Sequence, residues 1–382
     1  MLQAAVPDAL ALGAEVGAIM LGGVLLYELM RRAGAYRTVG AWLAREVADP
    51  AGRLLLMTLG VAPFVESVTG FGVGAVVTYP LFVQMGFAPQ EAGILALLGL
   101  VAVPCGALAP GTLVASKLAG VSFQSLGEAS AALSLPVFLI CGGAAMVVGM
   151  GWRQASRQTG KLLIAAASLW GGIWLANRFA GTPPAGALGS LAGIGAGLVM
   201  GRASRDPLRT RGSTWERAAP RPEEEMPVVR ALVPYVALVG LLVMSPGVVS
   251  LAAKMGWSLE AAAGSSLPWL WATCGFASLW FRLSLRTVAA ALREALARWA
   301  PAALTTVLFV LLGNVMRVSG MAMALAEEAS ELRWGYLALA PWVGALGGFI
   351  TGSNTGANAM FAAAQAGAAV RLGYPRLTSR ER

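Results

Sequence analysis

The stretch ALVPYVALVGLLVMSPGVVSLA, residues 231–252, contains no charged side chain. A helix needs about 20 apolar residues to cross the hydrocarbon core of a bilayer, so this stretch is long enough to span a membrane. Comparable apolar segments recur along the chain, at 9–30, 91–116, 130–150, 162–180, 184–200, 264–281 and 302–317. They lack the alternation of barrel strands. The sequence therefore predicts an all-α polytopic membrane protein with about 8–10 transmembrane helices.

The composition excludes several other classes of protein. Hydrophobic residues make up 57% of the chain and charged residues only 12%, whereas soluble domains carry about 25% charged residues. The chain has no histidine, and its three cysteines, Cys105, Cys141 and Cys274, lie singly in apolar runs. With no metal-ligand spacing, nucleophile elbow or phosphate loop visible, we expect no cofactor, no metal and no enzyme activity.

The positive charges predict how the chain is oriented in the membrane. The net charge is +9, but the basic residues lie in the gaps between apolar runs, so we expect no nucleic-acid partner. Cytoplasmic loops are enriched in Lys and Arg, which places the gap 31–53 and the arginine-rich stretch 202–230 inside. The N-terminus, on the other side of the first apolar segment, is therefore expected outside. The gap 318–335 carries three glutamates against Arg333, so we expect it outside. No basic residue precedes Arg31, and we therefore expect no signal peptide.

The hydrophilic stretch 202–230 also divides the sequence. We predict an N-terminal membrane half, a cytoplasmic loop, a C-terminal membrane half and a charged tail, at residues 1–201, 202–230, 231–370 and 371–382. Two amphipathic segments, 37–50 and 283–299, are expected to lie at the membrane interface. The predicted location is the inner (plasma) membrane, in a multi-pass arrangement, and the oligomeric state stays open.

Two apolar regions, 54–85 and 336–367, are interrupted by Gly, Pro and small polar residues. A shift of 286 residues gives six identities between 30–70 and 316–356, and three of them fall in the broken regions: Ser67 with Ser353, Thr69 with Thr355 and Gly70 with Gly356. The charged gaps of the two copies predict opposite orientations. The sequence thus predicts inverted repeats with two broken or re-entrant helix pairs, whose tips meet near the membrane midplane as in secondary transporters.

The first broken segment carries Glu66, about a dozen residues beyond Arg53 and hence near mid-membrane at 1.5 Å per residue. Carboxylates at that depth are costly and usually functional, so we predict that Glu66 loads and releases the coupling proton. The alternative is a structural hydrogen bond to an open helix end. Four neighbours are predicted to bind substrate with the help of that helix end: Ser67, Thr69, Gly70 and Gly72.

The second broken segment contains a dense polar patch inside an apolar run. Its hydroxyls and amides can donate to a carboxylate or coordinate a cation, and ordinary helix-packing polar residues are the alternative. The predicted substrate-binding residues of this segment are Thr351, Ser353, Asn354, Thr355 and Asn358.

At these two segments the sequence resembles the lactate permease family. The family motif Glu-Gly-Ala-Ala-Gly-Phe-Gly reads Glu-Ser-Val-Thr-Gly-Phe-Gly over 66–72, and Phe-Leu-Thr-Gly-Ser-Asp-Thr-Ser-Ser-Asn reads Phe-Ile-Thr-Gly-Ser-Asn-Thr-Gly-Ala-Asn over 349–358. The likeness covers most of 10–367, including 81–98, and implies proton symport of lactate or glycolate. Asn354 stands where the family has Asp, which leaves Glu66 as the expected proton carrier.

The resemblance leaves alternatives open. The family often has Asn-Thr-Ala-Pro where this chain has Gly-Leu-Val-Ala over 99–102, and the chain is expected to be short at both ends relative to the family. The leading hypothesis is a proton-coupled carrier of a small carboxylate in the lipid bilayer. A sodium-coupled or uniporting carrier of another organic anion, and a truncated membrane protein that does not transport, are the alternatives.

Overall fold

The computed structural model describes residues 2–47, 49–102, 108, 110–203, 226–255 and 265–374. Helices dominate this part of the chain, and it contains no β-strand. The first helices are α1 (Leu2–Arg32), α2 (Ala35–Glu46), α3 (Pro50–Leu56), α4 (Ala62–Thr69), α5 (Val73–Gln84), α6 (Pro89–Leu98), α7 (Pro110–Ala119), α8 (Phe123–Leu133) and α9 (Leu135–Met150). They are followed by α10 (Trp152–Arg157), α11 (Thr159–Phe179), α12 (Thr182–Ala203), α13 (Val228–Lys254), α14 (Leu267–Trp280), α15 (Leu285–Val318), α16 (Met321–Glu331), α17 (Trp334–Thr351) and α18 (Asn354–Arg371).

Several of these helices are long and apolar enough to cross a membrane. Within the described residues there are six, or seven if the bent pair α8 and α9 counts as one span. The six are Val6–Arg32, Pro50–Thr69, Thr159–Phe179, Thr182–Gly201, Val228–Ala252 and Leu285–Val318. The predicted fold class, an all-α polytopic membrane protein, is confirmed.

The structure corrects the sequence prediction at three segments. Residues 91–116 were predicted to cross as one helix, but α6 ends at Leu98 and α7 begins at Pro110. The segments 283–299 and 302–317 form the single 34-residue helix α15, because Pro301 lies within the helix without ending it. The segment 264–281 yields a helix of only 14 residues, α14. The first and third differences remove two of the predicted full-length spans, which is why fewer are found than the 8–10 expected.

The contacts group the chain into two compact units. We call them unit A, Gly22–Leu108 with Ala131–Ala295, and unit B, Met1–Leu21 with Ala109–Ser130 and Leu296–Arg382. Each unit draws on segments from both sides of 202–230. The division of the sequence into membrane halves, loop and tail stays a prediction, and 204–225 and 375–382 lie outside the described residues.

The core of unit A is the segment Pro50–Thr69, of which 94% is buried inside the protein. A π-helical turn, Met57–Val61, joins α3 to α4. Helix α12 packs directly on this turn, and a Cβ on Gly193 would lie 2.3 Å from the carbonyl oxygen of Leu59. Small residues allow such backbone contact between membrane helices.

The core of unit B is built around α18, which packs against α7, α16 and α17. Helix α15 approaches α18 at Gly313, where a Cβ would lie 1.9 Å from the carbonyl oxygen of Ala359. The Trp299 indole of α15 donates to the carbonyl of Gly17 in α1 at 2.7 Å. These contacts place the second broken segment at the centre of unit B.

The order of elements is repeated in the way the sequence indicates. Gly34 follows α1 with φ of 78° and starts α2, and Gly320 follows α15 with φ of 81° and starts α16. A broken helix pair comes next in both copies. The shift of 286 residues places Gly70 on Gly356, whereas the second break lies one helical turn earlier, at 352–353. The opposite membrane orientation of the copies stays a prediction.

Candidate functional site

The first break lies between α4 and α5 in unit A. Three consecutive residues have positive φ: Gly70 at 75°, Phe71 at 58° and Gly72 at 76°. Glycine adopts this region at no steric cost, but a phenylalanine there is uncommon and held by its surroundings. The turn reverses the chain, and α5 packs back on α4 so closely that a Cβ on Gly74 would lie 2.6 Å from the Ala62 carbonyl oxygen.

Glu66 binds the open start of α5 from within α4. Its Oε1 accepts from the Gly72 N–H and its Oε2 from the Gly74 N–H, both at 2.9 Å. The side chain is only 3% exposed, and no cation lies within ion-pair distance of it among the described residues. The hydrogen bond to an open helix end, which was the alternative prediction for Glu66, is thus present, and the protein's own carboxylate binds the helix end that was predicted to help hold a substrate anion.

The two hydroxyl groups of the first break, those of Ser67 and Thr69, differ in their hydrogen bonding. The Thr69 hydroxyl donates to the Val65 carbonyl at 2.6 Å, which commits it to the helix. The Ser67 hydroxyl is buried and has no hydrogen-bond partner in the described part of the chain. The backbone of α1 approaches here, since a Cβ on Gly23 would lie 1.9 Å from the Thr69 carbonyl oxygen. The Ser67 carbonyl accepts from the N–H of Leu108 at 3.2 Å.

The second break lies between α17 and α18 in unit B. Gly352 has φ of 60°, and Ser353 is extended and caps α18 by accepting from the Gly356 N–H at 3.2 Å. The Thr351 hydroxyl lies 2.8 Å from the Gly347 carbonyl oxygen and 2.9 Å from that of Ser353. Thr351 and Ser353 therefore satisfy the two helix ends at the break.

Beyond the cap, two asparagines face α7. The Asn358 Nδ2 donates to the Gly111 carbonyl and to the Asn354 Oδ1, each at 3.2 Å. The Asn354 Nδ2 is buried without a partner among the described residues, and a Cβ on Gly111 would lie 2.3 Å from it. Thr355 is buried beside them. A buried amide N–H without an acceptor is costly and suits a ligand oxygen.

The structure thus brings the predicted residues together as two clusters, one in each unit. Glu66, Ser67, Thr69, Gly70 and Gly72 form the first, and Thr351, Ser353, Asn354, Thr355 and Asn358 form the second. Their roles in substrate binding and proton coupling, and the meeting of the two tips, stay predictions. No group of three or more Cys, Asp or Glu side chains in the described ranges could hold a metal ion.

The contribution of α7 to the second cluster was not predicted from the sequence. Gly111, Thr112 and Ser116 of this helix are buried, and α7 packs against the start of α18. The error follows from treating 91–116 as one apolar span. The two prolines and two glycines within 104–111 are the signal that could have revealed the break, because such residues seldom continue a helix.

Comparison with known proteins identifies the family. The family model described as L-lactate permease matches residues 1–260 and 249–379. The L-lactate permease of Streptococcus iniae is 24% identical over 376 residues, covering 93% of this chain and 77% of that protein. The L-lactate permease of Escherichia coli strain K12 is 23% identical over 405 residues, covering 94% and 73%.

No solved structure matches the chain. The family match nevertheless spans nearly all of it, includes both broken segments, and confirms the resemblance carried by the two motifs. The chain belongs to the L-lactate permease family.

Proposed function

We propose that this protein carries a small 2-hydroxycarboxylate such as lactate or glycolate across the inner membrane together with a proton. The family membership supports lactate as the substrate class, since the relatives are named L-lactate permeases. The observation that supports proton coupling is the position of Glu66, a carboxylate that is 3% exposed and lies at a helix break.

The hydrogen bonds of Glu66 support a specific coupling step. As a carboxylate it accepts from the N–H groups of both Gly72 and Gly74. Burial disfavours its charge, while the two N–H donors and the helix start favour it. On protonation, one oxygen carries the hydrogen and becomes a poor acceptor, so one backbone N–H is released. The substrate carboxylate takes that N–H, with the Ser67 hydroxyl as a second donor beside it.

This sequence of events ties the two charges together. The protonated Glu66 and the bound anion cross the low-dielectric core as a complex with no net added charge, whereas a bare anion would be costly there. Release of the anion returns Glu66 to its two N–H donors. The empty carrier then resets only after the proton has also left, which makes transport dependent on the proton gradient.

The first prediction is that Glu66→Gln abolishes accumulation of lactate against a gradient but leaves lactate exchange. Glutamine resembles the protonated state and cannot lose a proton, so the carrier exchanges bound substrate but cannot complete a coupled cycle. We would measure uptake of labelled lactate into proteoliposomes with an imposed pH gradient, with and without an uncoupler, and counterflow in preloaded vesicles.

Glu91→Gln is the matched control. Glu91 also accepts a backbone N–H at a helix start, from Ala88 at 3.1 Å, but it is exposed. The Glu91→Gln variant should therefore still accumulate lactate. Full accumulation by Glu66→Gln would show that Glu66 is structural and that the proton travels elsewhere. Accumulation that follows a sodium gradient and ignores the uncoupler would instead establish the sodium-coupled alternative.

A further inference from the structure

Unit B contains a cavity of about 370 Å³, and no residue of the second break lines it. Three helices line it: α1 with Asp8 and Glu15, α7 with Lys117, and α15 with Asn314 and Arg317. The volume is at the lower end of the range for small-molecule sites. The lining combines two cations and two carboxylates within a protein in which charged residues are scarce.

The two cations are free to bind an anion. No carboxylate of the described residues forms an ion pair with Lys117 or Arg317. The Asn314 Oδ1 accepts from Nε of Arg317 at 3.2 Å and from Nη2 at 2.8 Å. This contact holds the guanidinium along one edge and leaves its remaining N–H donors for a ligand, because a guanidinium carries five. Planar donors of this kind suit a carboxylate.

The two carboxylates narrow the class of ligand. Asp8 and Glu15 are seven residues apart on α1 and therefore lie on the same face of the helix, two turns apart. Carboxylates repel simple anions, but they accept hydrogen bonds from hydroxyl groups. A ligand with one carboxylate for Arg317 and Lys117 and one hydroxyl for Glu15 fits both halves of the lining. That description is a small 2-hydroxycarboxylate.

The position of the cavity along the chain indicates on which side of the membrane it opens. It is lined by the N-terminal part of α1, which lies within the first span, by the end of α7 and by the last turn of α15 just before 318–335. The charge distribution of the sequence predicts the N-terminus and 318–335 to be external. On that prediction the cavity opens to the side from which the substrate of an uptake carrier arrives.

We propose that this cavity is an external capture site for the 2-hydroxycarboxylate substrate. Arg317 and Lys117 hold its carboxylate, and Glu15 accepts its hydroxyl. The proposal rests on the proposed transport function and adds a second binding site to it, ahead of the broken helices. Substrate captured there is delivered to the transport pathway, so the site governs the apparent affinity and not the maximal rate.

The test is the kinetics of labelled lactate uptake into proteoliposomes made with the full chain. Arg317→Gln and Lys117→Gln should each raise KM about 3- to 10-fold, as expected for loss of a partly exposed charge-assisted contact, with maximal rates within about twofold. Arg178→Gln is the control, because Arg178 is an exposed cation in the last turn of α11 and does not line the cavity. A KM unchanged in Arg317→Gln and Lys117→Gln, or raised equally by Arg178→Gln, would overturn the proposal.

A second arm tests the hydroxyl contact. Propionate has the carboxylate of lactate but lacks its hydroxyl, so the wild-type protein should show a higher KM or inhibition constant for propionate than for lactate. Glu15→Leu removes the acceptor and should lower this ratio towards one, whereas Glu91→Leu should leave it unchanged. A ratio unaffected by Glu15→Leu would contradict the assignment of Glu15.

Equilibrium binding of labelled lactate to the purified protein separates the two levels of failure. Transport by the wild type with a KM insensitive to the cavity variants overturns the capture site alone. Binding without transport overturns the proposed function, and the affinities of Arg317→Gln and Lys117→Gln then decide the cavity. If the wild type neither binds nor transports lactate, both proposals are wrong.

Discussion

Gly74 shows how a single residue holds the first break together. A Cβ at this position would lie 2.6 Å from the Ala62 carbonyl oxygen and 2.9 Å from the Cβ of Glu66. At the same time its N–H donates to the Glu66 carboxylate at 2.9 Å. The absence of a side chain thus permits both the close packing of α5 on α4 and the hydrogen bond that clamps them.

We therefore predict that Gly74→Ala lowers the free energy of unfolding by about 1–3 kcal/mol, as overpacking of a tight contact does. The methyl group must push Glu66 off the helix start, so lactate accumulation should fall as well. Gly93→Ala is the control: Gly93 is also helical, but no atom lies within 4 Å of an added Cβ. There the change should be neutral or slightly stabilising. The measurement is thermal unfolding of both purified variants. Equal midpoints for Gly74→Ala and Gly93→Ala would contradict the packing argument.

At the scale of elements, α1 is joined to α15 by a network of charges within unit A. Arg31 binds the fully buried Glu28 through Nε at 2.9 Å and Nη2 at 2.7 Å, and it also reaches Glu294 at 2.6 Å. Among the described residues, Arg32 forms an ion pair only with the other oxygen of Glu294, at 2.7 Å. Both arginines therefore bind Glu294, but Arg31 also binds the buried Glu28.

This difference predicts unequal effects of the same substitution. Arg31→Gln should destabilise the protein by about 2–4 kcal/mol, because it removes the cation bound to a buried carboxylate. Arg32→Gln should cost about 0–1 kcal/mol, as for a partly exposed pair. The comparison needs only thermal or denaturant unfolding of two variants with the same net charge. Equal losses would show that Glu28 depends on other partners.

The helices also show what could be foreseen from sequence. Apolar length located the spans at 9–30 and 162–180 to within a few residues, because the hydropathy of a window of about 20 residues identifies spanning helices. The breaks at 70–72 and 352–353 follow from glycines and polar residues at those places. A hydrogen bond of Glu66 to an open helix end was one of two alternatives from the sequence. Its donors, the N–H groups of Gly72 and Gly74, could not be predicted, because the contact depends on a turn whose three positive φ angles include that of Phe71.

At the scale of the whole molecule, each unit is assembled from segments that are far apart in sequence. The cavity of unit B joins residues 8, 117 and 317, whose proximity no local pattern predicts. The distribution of Lys and Arg predicted only that two of these segments, the N-terminus and the end of α15, lie on the same side of the membrane. The composition of units A and B therefore depends on tertiary packing, which the sequence pattern does not reveal. The orientation in the membrane, in contrast, is predicted from the distribution of arginine.

Orientation is the last prediction, and it can be tested directly in cells. In a background without Cys105, Cys141 and Cys274, we expect Glu328→Cys to react with a membrane-impermeant maleimide from outside. Trp215→Cys, in the arginine-rich stretch 202–230, should react only after the cells are permeabilised, because basic loops are retained in the cytoplasm. Glu328 is exposed on α16, so accessibility within the protein does not limit its labelling. The opposite pattern would reverse the orientation and would place the cavity of Lys117 and Arg317 on the cytoplasmic side, where it could not capture substrate for uptake.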